Sequence, residues 1–233
     1  MGDEMNRNDI VVTARGVSKQ FFRKGRDSAR YFDAVAPCDV DLHAGELVVL
    51  MGRSGSGKST LLNMLAGLLE PTHGAVEFQG RDLYRLDDVE LSRLRNECFG
   101  VVPQGHTALQ SLTVIENVTL PCLMYRSDGE SAERRAFDLL EQMGIAALAD
   151  SRPAELSGGE LRRMAIARAL VNDPQVVFAD EPTGDLDDEN TEAVLRALRS
   201  YADAGAAVLV VTHETSAADV ADRVLRMDAG SLS

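Results

Sequence analysis

A glycine-rich segment at residues 52–60 has the residue types and spacing of a phosphate-binding loop. Its sequence is G-R-S-G-S-G-K-S-T; an apolar run precedes it and an apolar helical pattern follows it. Glycines at this spacing let successive backbone N–H groups point at a phosphate, and the start of the helix adds partial positive charge. The alternative is an ordinary glycine-rich turn before an amphipathic helix. The predicted nucleotide contacts are Gly52, Arg53, Ser54, Gly55, Ser56, Gly57, Lys58, Ser59 and Thr60.

Two side chains of this loop have more specific predicted roles. We expect the Lys58 ammonium to reach the β- and γ-phosphates of a nucleotide. We expect the Ser59 hydroxyl to hold Mg²⁺, a hard cation that takes few protein ligands and keeps several phosphate or water oxygens.

Two further apolar runs, at 176–179 and 206–211, also end in polar residues. Continuous apolar runs are typical of parallel strands covered on both faces, and ligands bind beyond the carboxyl ends of such strands. We therefore expect Asp180 to hold Mg²⁺ through water, Glu181 to orient the attacking water, and His213 to donate to a γ-phosphate. The alternatives are a solvated acidic loop and a surface histidine.

Gln104 and Phe21 are weaker candidates. Gln104 follows a predicted strand at 99–102, and its side-chain carbonyl is predicted to touch Mg²⁺ or the attacking water, while its loop responds to neighbouring helices; the alternative is an ordinary loop amide. The Phe21 ring is predicted to stack on a nucleotide base. Phe22 and Tyr31 leave that assignment open, and the rings could instead cover a sheet edge.

Residues 156–160, Leu-Ser-Gly-Gly-Glu, begin a predicted helix and are called the signature turn below. Ser157 and Glu160 have the spacing of a capping box. Glycine costs about 1 kcal/mol against alanine inside a helix, so two glycines in the first turn need a further reason. A bare helix start lets an anion approach the backbone N–H groups. We expect Ser157, Gly158, Gly159 and Glu160 to contact the γ-phosphate held by another subunit, because this chain already has one phosphate loop.

The composition restricts the class of protein. A chain of 233 residues with 45% hydrophobic residues suits one large domain. A net charge of −13 and a pI near 4.7 argue against a nucleic-acid partner. No apolar run approaches the roughly 18 to 20 residues that span a bilayer, and residues 1–10 are unlike a signal peptide. Three scattered cysteines favour a reducing cytosol.

The pattern of elements predicts an α/β fold. Antiparallel strands are expected at 10–14 and 34–43, and helices are expected after Asp87, after Thr113 with a break at Pro121, and at 132–143. The predicted class is a P-loop NTPase with a RecA-like mixed sheet core, an N-terminal antiparallel β subdomain, and an α-helical subdomain inserted at roughly 86–160.

The motifs together resemble the ATPase domain of ABC transporters over nearly the whole chain, 1–233. The phosphate loop, Gln104 of the Q-loop, the signature turn, the Walker B pair Asp180 and Glu181, the D-loop at 184–187 and the switch His213 follow the family order. Residues 117–121 and 179–187 look like the branch serving lipoprotein release, macrolide export and antimicrobial-peptide resistance. The sequence departs from the family at three places, which are Glu160 where many members have Gln, Arg162 or Arg163 at a site that is often Gln, and Asp185 where this branch usually has Asn.

This resemblance implies an ATPase subunit, converting ATP and water to ADP and phosphate, that dimerises around two ATP and Mg²⁺. The dimer would contain two copies or a related ATPase subunit. It would power a separate membrane permease from the cytoplasmic side of the cell membrane, as part of an exporter or extractor of lipophilic or peptide substrates. Residues 104–125 are expected to form part of the groove for a permease helix.

Two other functions stay open at this point. One is an ATP-driven regulatory or mechanical switch that acts through a permease-like partner without transport, as the cell-division member of the branch is thought to do. The other is a soluble ABC protein that acts on ribosomes or DNA. That class usually needs tandem ATPase domains or a long coiled-coil insertion, and neither fits in this chain.

Overall fold

The computed structural model describes residues 9–24, 29–105, 107–125, 129–184 and 186–233. The strands are β1 (Ile10–Lys24), β2 (Ala29–His43), β3 (Leu47–Met51), β4 (His73–Phe78), β5 (Arg81–Asp82), β6 (Phe99–Val102), β7 (Val176–Asp180), β8 (Ala207–Thr212), β9 (Arg223–Asp228) and β10 (Ser231–Leu232). The helices are α1 (Lys58–Leu65), α2 (Asp88–Cys98), α3 (Val114–Tyr125), α4 (Gly129–Gln142), α5 (Gly158–Leu170) and α6 (Asp188–Asp203).

The N-terminal strands form an antiparallel sheet of order β2-β1-β4-β5. This confirms the predicted antiparallel β subdomain, although β1 and β2 are longer than expected, at 15 residues each. The outer edge of β2 meets the end of the chain, because Ala36 N–H donates to Gly230 O at 2.8 Å. The edge strand of the small sheet is thereby joined to the large one.

The central sheet has the order β10-β9-β3-β8-β7-β6. Strands β9, β3, β8, β7 and β6 run parallel, as in the pairs of Leu47 with Val208 and of Val176 with Ala207. Every residue of β3, β7 and β8 is buried, as the continuous apolar runs predicted. Apolar clusters cover both faces, since successive side chains of a strand point to opposite sides.

Strand β9 was not predicted from the sequence. Its residues, Arg-Val-Leu-Arg-Met-Asp, mix charged and apolar side chains, and most of them are exposed or half-buried. Pairing with β3 fixes it in place, helped by an ion pair between Arg223 and Glu46 at 3.4 Å.

The helices between β5 and β7 follow their predicted start signals. Asp87 caps α2, accepting from Glu90 N–H at 2.8 Å within a complete capping box. The predicted break at Pro121 is wrong, because α3 continues through it to Tyr125. Val118 and Cys122 are buried on either side of Pro121, so packing offsets the lost N–H bond. No helix in the described ranges is long and apolar enough to cross a membrane.

Candidate active site

The phosphate loop lies between β3 and α1, and the backbone of two other strands presses on it. Gly57 precedes α1 with φ 106°, and a Cβ atom there would lie 2.2 Å from Ala34 O of β2. A Cβ atom on Gly52 would lie 2.2 Å from Met227 O of β9. Only glycine fits at these two positions, which explains part of the motif by packing alone.

Lys58 is held inside this loop. Its Nζ donates to Gly52 O at 2.8 Å and to Arg53 O at 3.2 Å, and the side chain is 6% exposed. Residues 53–55 form the exposed tip of the loop, whereas the Ser56 hydroxyl is buried without a partner. The Lys58 ammonium therefore lies on the concave side of the loop, where it is bonded to the carbonyl oxygens of Gly52 and Arg53.

Asp180, at the end of β7, lies next to the start of α1. Its carboxyl accepts a hydrogen bond from Ser59, and it is 4% exposed. Burial raises the pKa of Asp180, and the Glu181 charge adds to this, while the Ser59 bond and the positive charges of Lys58 and Arg162 lower it; the net direction is upward.

The donors beside Ser59 fit a magnesium ion. Asp180 Oδ1 is buried and has no hydrogen-bond partner, so one carboxylate oxygen is unused beside a hydroxyl. Within the described residues no group of three His, Cys, Asp or Glu side chains could hold a metal. Such a sparse oxygen donor set suits Mg²⁺, which takes one or two protein ligands together with phosphate oxygens.

Glu181 follows Asp180 and is oriented by the end of β8. Thr212 Oγ1 donates to its Oε2 at 3.2 Å, and His213 Nδ1 lies 3.0 Å from the same oxygen. Glu181 has φ 50°, an uncommon conformation for a non-glycine residue, and its N–H donates to Val211 O at 2.8 Å. The Glu181 side chain is 15% exposed and that of His213 is 67% exposed. Thr212 and His213 therefore fix the orientation of the Glu181 carboxylate, and of these two partners His213 is the one that faces solvent.

Gln104 lies at the same edge of the sheet without touching these groups. It comes two residues after β6, whose last residue, Val102, pairs with Ala179 of β7. The side chain is exposed, and within the described ranges it has no hydrogen bond to Ser59 or Asp180. The structure therefore brings together Lys58, Ser59, Asp180, Glu181 and His213, and leaves Gln104 nearby.

Phe21 is one of four aromatic residues near the end of the β1–β2 hairpin. Its ring centroid is 6.0 Å from that of Phe32, and Lys19 Nζ lies 5.6 Å from the Phe21 ring centroid. Phe22 pairs with Tyr31 at 5.2 Å, on the opposite face because neighbouring strand residues alternate. β2 contacts the phosphate loop at Ala34, so Phe32 lies about 7 Å along the strand from that contact, at roughly 3.4 Å per residue.

The signature turn lies on a separate element. Ser157 caps α5 in a full capping box; its N–H and hydroxyl donate to Glu160 Oε2 at 2.7 and 2.8 Å. These two donors lower the pKa of Glu160. Ser157 is exposed, and in the part of the chain that the structure describes no hydrogen bond joins this turn to the phosphate loop. The two predicted anion sites are thus separate in one chain.

Two residues of this region were not assigned a role from the sequence. Thr212 is fully buried, and its hydroxyl both donates to Glu181 and accepts from Glu214 N–H at 3.1 Å. Arg162 points inward from α5, whereas Arg163 donates to Asn190 Oδ1 at the start of α6. Threonine after a buried strand and arginine in a helix are too common to signal these contacts. Asp185, the third departure from the family pattern, lies outside the described residues.

Comparisons with known proteins agree with this geometry. The profile of the family described as ABC transporter matches residues 35–184. The lipoprotein-releasing system ATP-binding protein LolD of Chromohalobacter salexigens is 40% identical over 227 residues, covering 97% of this chain and 94% of that protein. LolD of Pseudomonas fluorescens is 44% identical over 223 residues, covering 95% of this chain and 96% of that protein. The macrolide export ATP-binding/permease protein MacB of Chlorobaculum tepidum is 41% identical over 90% of this chain, which spans 32% of MacB.

Solved structures give the same result. The dimeric structure of the ABC transporter cassette MJ0796 has a TM-score of 0.89 and 34% identity, with 95% of this chain and 96% of that chain covered. A post-hydrolysis dimer of MJ0796 bound to ADP and phosphate has a TM-score of 0.88 and 33% identity over the same shares. The chain therefore belongs to the ABC transporter family, as an ATP-binding ATPase subunit of the branch that contains the lipoprotein-releasing and macrolide-export proteins.

Proposed function

We propose that two ATPase subunits, either two copies of this chain or one copy and a related subunit, close around two ATP and Mg²⁺ and drive a separate membrane permease. The observation that carries the proposal is the convergence of three neighbouring strands. β3, β8 and β7 end in the phosphate loop, in Thr212 and His213, and in Asp180 and Glu181. The hydrogen bond between Ser59 and Asp180 joins two of these ends directly.

Each group at this edge has a role in phosphoryl transfer to water. The backbone N–H groups of the loop and the Lys58 ammonium bind the phosphates, while Ser59 and Asp180 hold Mg²⁺. When bound, Mg²⁺ neutralises charge on the β- and γ-phosphate oxygens. Glu181 orients the attacking water, and Thr212 keeps its carboxylate in place. His213 donates to the γ-phosphate, and the side-chain carbonyl of Gln104 touches Mg²⁺ or the attacking water.

The nucleotide-binding site of each subunit is proposed to be completed by the partner subunit. The exposed start of α5 carries two glycines and partial positive charge, which suits the γ-phosphate of an ATP held elsewhere. The Ser157 hydroxyl at this helix start donates to Glu160 Oε2 at 2.8 Å. A chain with net charge −13 repels its copy, so binding energy from ATP has to supply the closure, and hydrolysis reverses it.

Phe21 is the proposed base platform, for two reasons. Its partner ring, Phe32, lies on β2 two residues before Ala34, which contacts the phosphate loop. Phe21 is also less exposed than the rings of the other pair, at 36% against 55% for Phe22 and 72% for Tyr31.

The permease is proposed to dock beside α3, from the cytoplasmic side of the membrane. Leu109, Leu123 and Met124 are 46, 60 and 60% exposed, the last two on α3 itself. A groove of about 250 Å³ is lined in part by Asn96 of α2, Pro121 of α3 and Ala169 of α5. Exposed apolar side chains of this kind mark partner sites. Val114 is fully buried and packs the core instead. The relatives are named for lipoprotein release and macrolide export. We propose lipophilic or peptide substrates for the permease that this chain serves. We also assign all of residues 1–233 to one ATPase domain, with its helical part at roughly 86–160.

The substitution Glu181→Gln tests this proposal. We expect ATP binding to remain and hydrolysis to fall by about 10² to 10⁴, the usual contribution of a general base. The variant should be a dimer with ATP and Mg²⁺ and a monomer with ADP by light scattering. Lys58→Ala is the comparison, because it should weaken ATP binding itself. Phosphate release within a few fold of the unaltered protein would remove Glu181 from this role.

A second substitution tests the contact between subunits. Adding Ser157→Arg to Glu181→Gln should abolish the dimer and leave ATP bound to the monomer, because the added side chain lies on the partner's nucleotide. A double variant that still dimerised, or that lost ATP binding as a monomer, would contradict a role for Ser157 across the interface.

A further inference from the structure

Glu181 lies in a tight turn that follows β7, the segment from Glu181 to Gly184. The Glu181 carbonyl accepts from Gly184 N–H at 3.2 Å. Glu181 itself has φ 50°, in the left-handed region that is unfavourable for a residue with a side chain. A backbone conformation of this kind persists only where surrounding contacts hold it. The position of the Glu181 carboxylate therefore depends on the contacts that fix this turn.

Glu214, two residues after the end of β8, holds this turn through Thr183. The Thr183 hydroxyl donates to Glu214 Oε2 at 2.7 Å. Thr183 is 1% exposed and Glu214 is half-buried, so water competes little for this hydrogen bond. The backbone makes a second link, because Glu181 N–H donates to Val211 O at 2.8 Å. The turn is therefore bonded to the end of β8 both by a side chain and by the backbone.

The backbone of Glu214 directs the Thr212 hydroxyl. Glu214 N–H donates to Thr212 Oγ1 at 3.1 Å, and Thr212 Oγ1 donates to Glu181 Oε2 at 3.2 Å. A hydroxyl has one proton, so an oxygen that accepts from a backbone N–H still has that proton to donate. Glu214 therefore contacts both the turn that carries Glu181 and the hydroxyl that orients the Glu181 carboxylate.

We propose that Glu214 is a positioning residue for ATP hydrolysis, which acts on Glu181 through Thr183 and Thr212. The bond from Thr183 keeps residues 181–184 in their turn, and the turn sets where the Glu181 carboxylate meets the attacking water. A misplacement of about 1 Å in such a group costs on the order of 10²-fold in rate. This inference rests on the proposed function above, and it concerns the hydrolysis step rather than nucleotide binding.

Steady-state ATP hydrolysis by the full chain with Mg²⁺ tests the role of Glu214. Glu214→Ala removes the acceptor, and Thr183→Val removes the donor while keeping a side chain of similar shape. We expect each substitution to lower kcat about tenfold or more, because the Glu181 carboxylate is no longer held in place. The dissociation constant for a non-hydrolysable ATP analogue should stay within about twofold, because neither side chain belongs to the phosphate loop.

Two further variants separate the hydrogen bond from the charge of Glu214. Glu214→Gln removes the charge and keeps an acceptor for the Thr183 hydroxyl, so it should retain at least about a third of the kcat of the unaltered protein. The double variant of Thr183→Val and Glu214→Ala should fall no further than the more affected single variant. Both substitutions remove the same bond, so their effects should not add.

Tyr84→Phe is the matched control for the loss of a partly buried hydroxyl. Tyr84 Oη lies 2.7 Å from the carbonyl oxygens of Met64 and Leu69, in a part of the fold without a proposed catalytic role. Its removal should lower the melting temperature, as Thr183→Val does, because a buried carbonyl loses its donor. The control should keep kcat within about twofold of the unaltered protein, since the turn at 181–184 is untouched.

The outcomes distinguish this inference from the proposed function. Hydrolysis that survives Glu181→Gln contradicts the proposed function. If Glu181→Gln abolishes hydrolysis while Glu214→Ala and Thr183→Val keep kcat within about twofold, the inference alone is wrong. It is also wrong if Glu214→Gln loses as much rate as Glu214→Ala, since the charge and not the bond would then matter. A fall of kcat in Tyr84→Phe in step with its melting temperature would give Thr183 and Glu214 a structural role and overturn the inference too.

Discussion

Substitution of two glycines in the phosphate loop separates tight packing from backbone conformation. Gly57 and Gly55 both have positive φ, 106° and 76°, so alanine is strained at either position. An added Cβ at Gly57 would lie 2.2 Å from Ala34 O, whereas at Gly55 it would meet no atom within 4 Å. Gly55→Ala is therefore the matched control for Gly57→Ala.

The expected difference follows from these contacts. A positive φ costs alanine about 1 to 2 kcal/mol in both variants. Gly57→Ala must also move Ala34 O by at least 0.8 Å, from 2.2 Å to the 3.0 Å below which real Cβ contacts are essentially never seen. Overpacking of this kind costs about 1 to 3 kcal/mol, so Gly57→Ala should lose about 2 to 5 kcal/mol of unfolding free energy.

Urea unfolding without nucleotide, followed by circular dichroism, measures this difference. The slope with urea should be unchanged and the midpoint should fall more for Gly57→Ala than for Gly55→Ala. Gly57→Ala should also weaken ATP binding, because the loop has to shift against β2. Equal midpoints for the two variants would show that β2 does not confine the loop as the structure places it.

Three other substitutions test separate features. Phe21→Ala should raise the dissociation constant for ATP about 5- to 150-fold, the equivalent of 1 to 3 kcal/mol of base stacking, while Phe22→Ala stays within twofold in the same titration; equal effects would refute Phe21 as the platform. Asn117→Ala should lose about 2 to 4 kcal/mol in thermal unfolding, because the fully buried side chain bonds Leu109 N–H and three carbonyls; a loss below about 1 kcal/mol would contradict this. Glu160→Gln should lower the melting temperature at pH 7. Hydrogen bonds from Ser157 lower the pKa of Glu160 in the folded protein. Its carboxylate therefore stabilises the fold at pH values above the ordinary pKa of 4.5. That stabilisation is lost as the pH falls through the lower pKa of the folded state. A melting difference that did not shrink as the pH was lowered below 4.5 would refute this cause.

Local sequence patterns were sufficient for much of the fold. The spacing of residues 52–59 predicts a strand, loop and helix without any partner, and β3, α1 and Gly57 are found as expected. The caps at Asp87 and Ser157 are also local, since the bonds they make span three residues. Fully apolar runs predicted β7 and β8 because a strand buried on both faces has no polar side.

The tertiary structure decided the features that depend on distant residues. Helix α3 continues through Pro121 because neighbouring residues of the helix pack in the core. Residues 223–228 form a strand because they pair with β3. The hydrogen bond between Ser59 and Asp180 joins residues that are far apart in the chain. The contact of Arg162 with Pro103 likewise joins positions 59 residues apart. Local propensity acts over a few neighbours, whereas these contacts exist only once the sheet has placed its strand ends side by side.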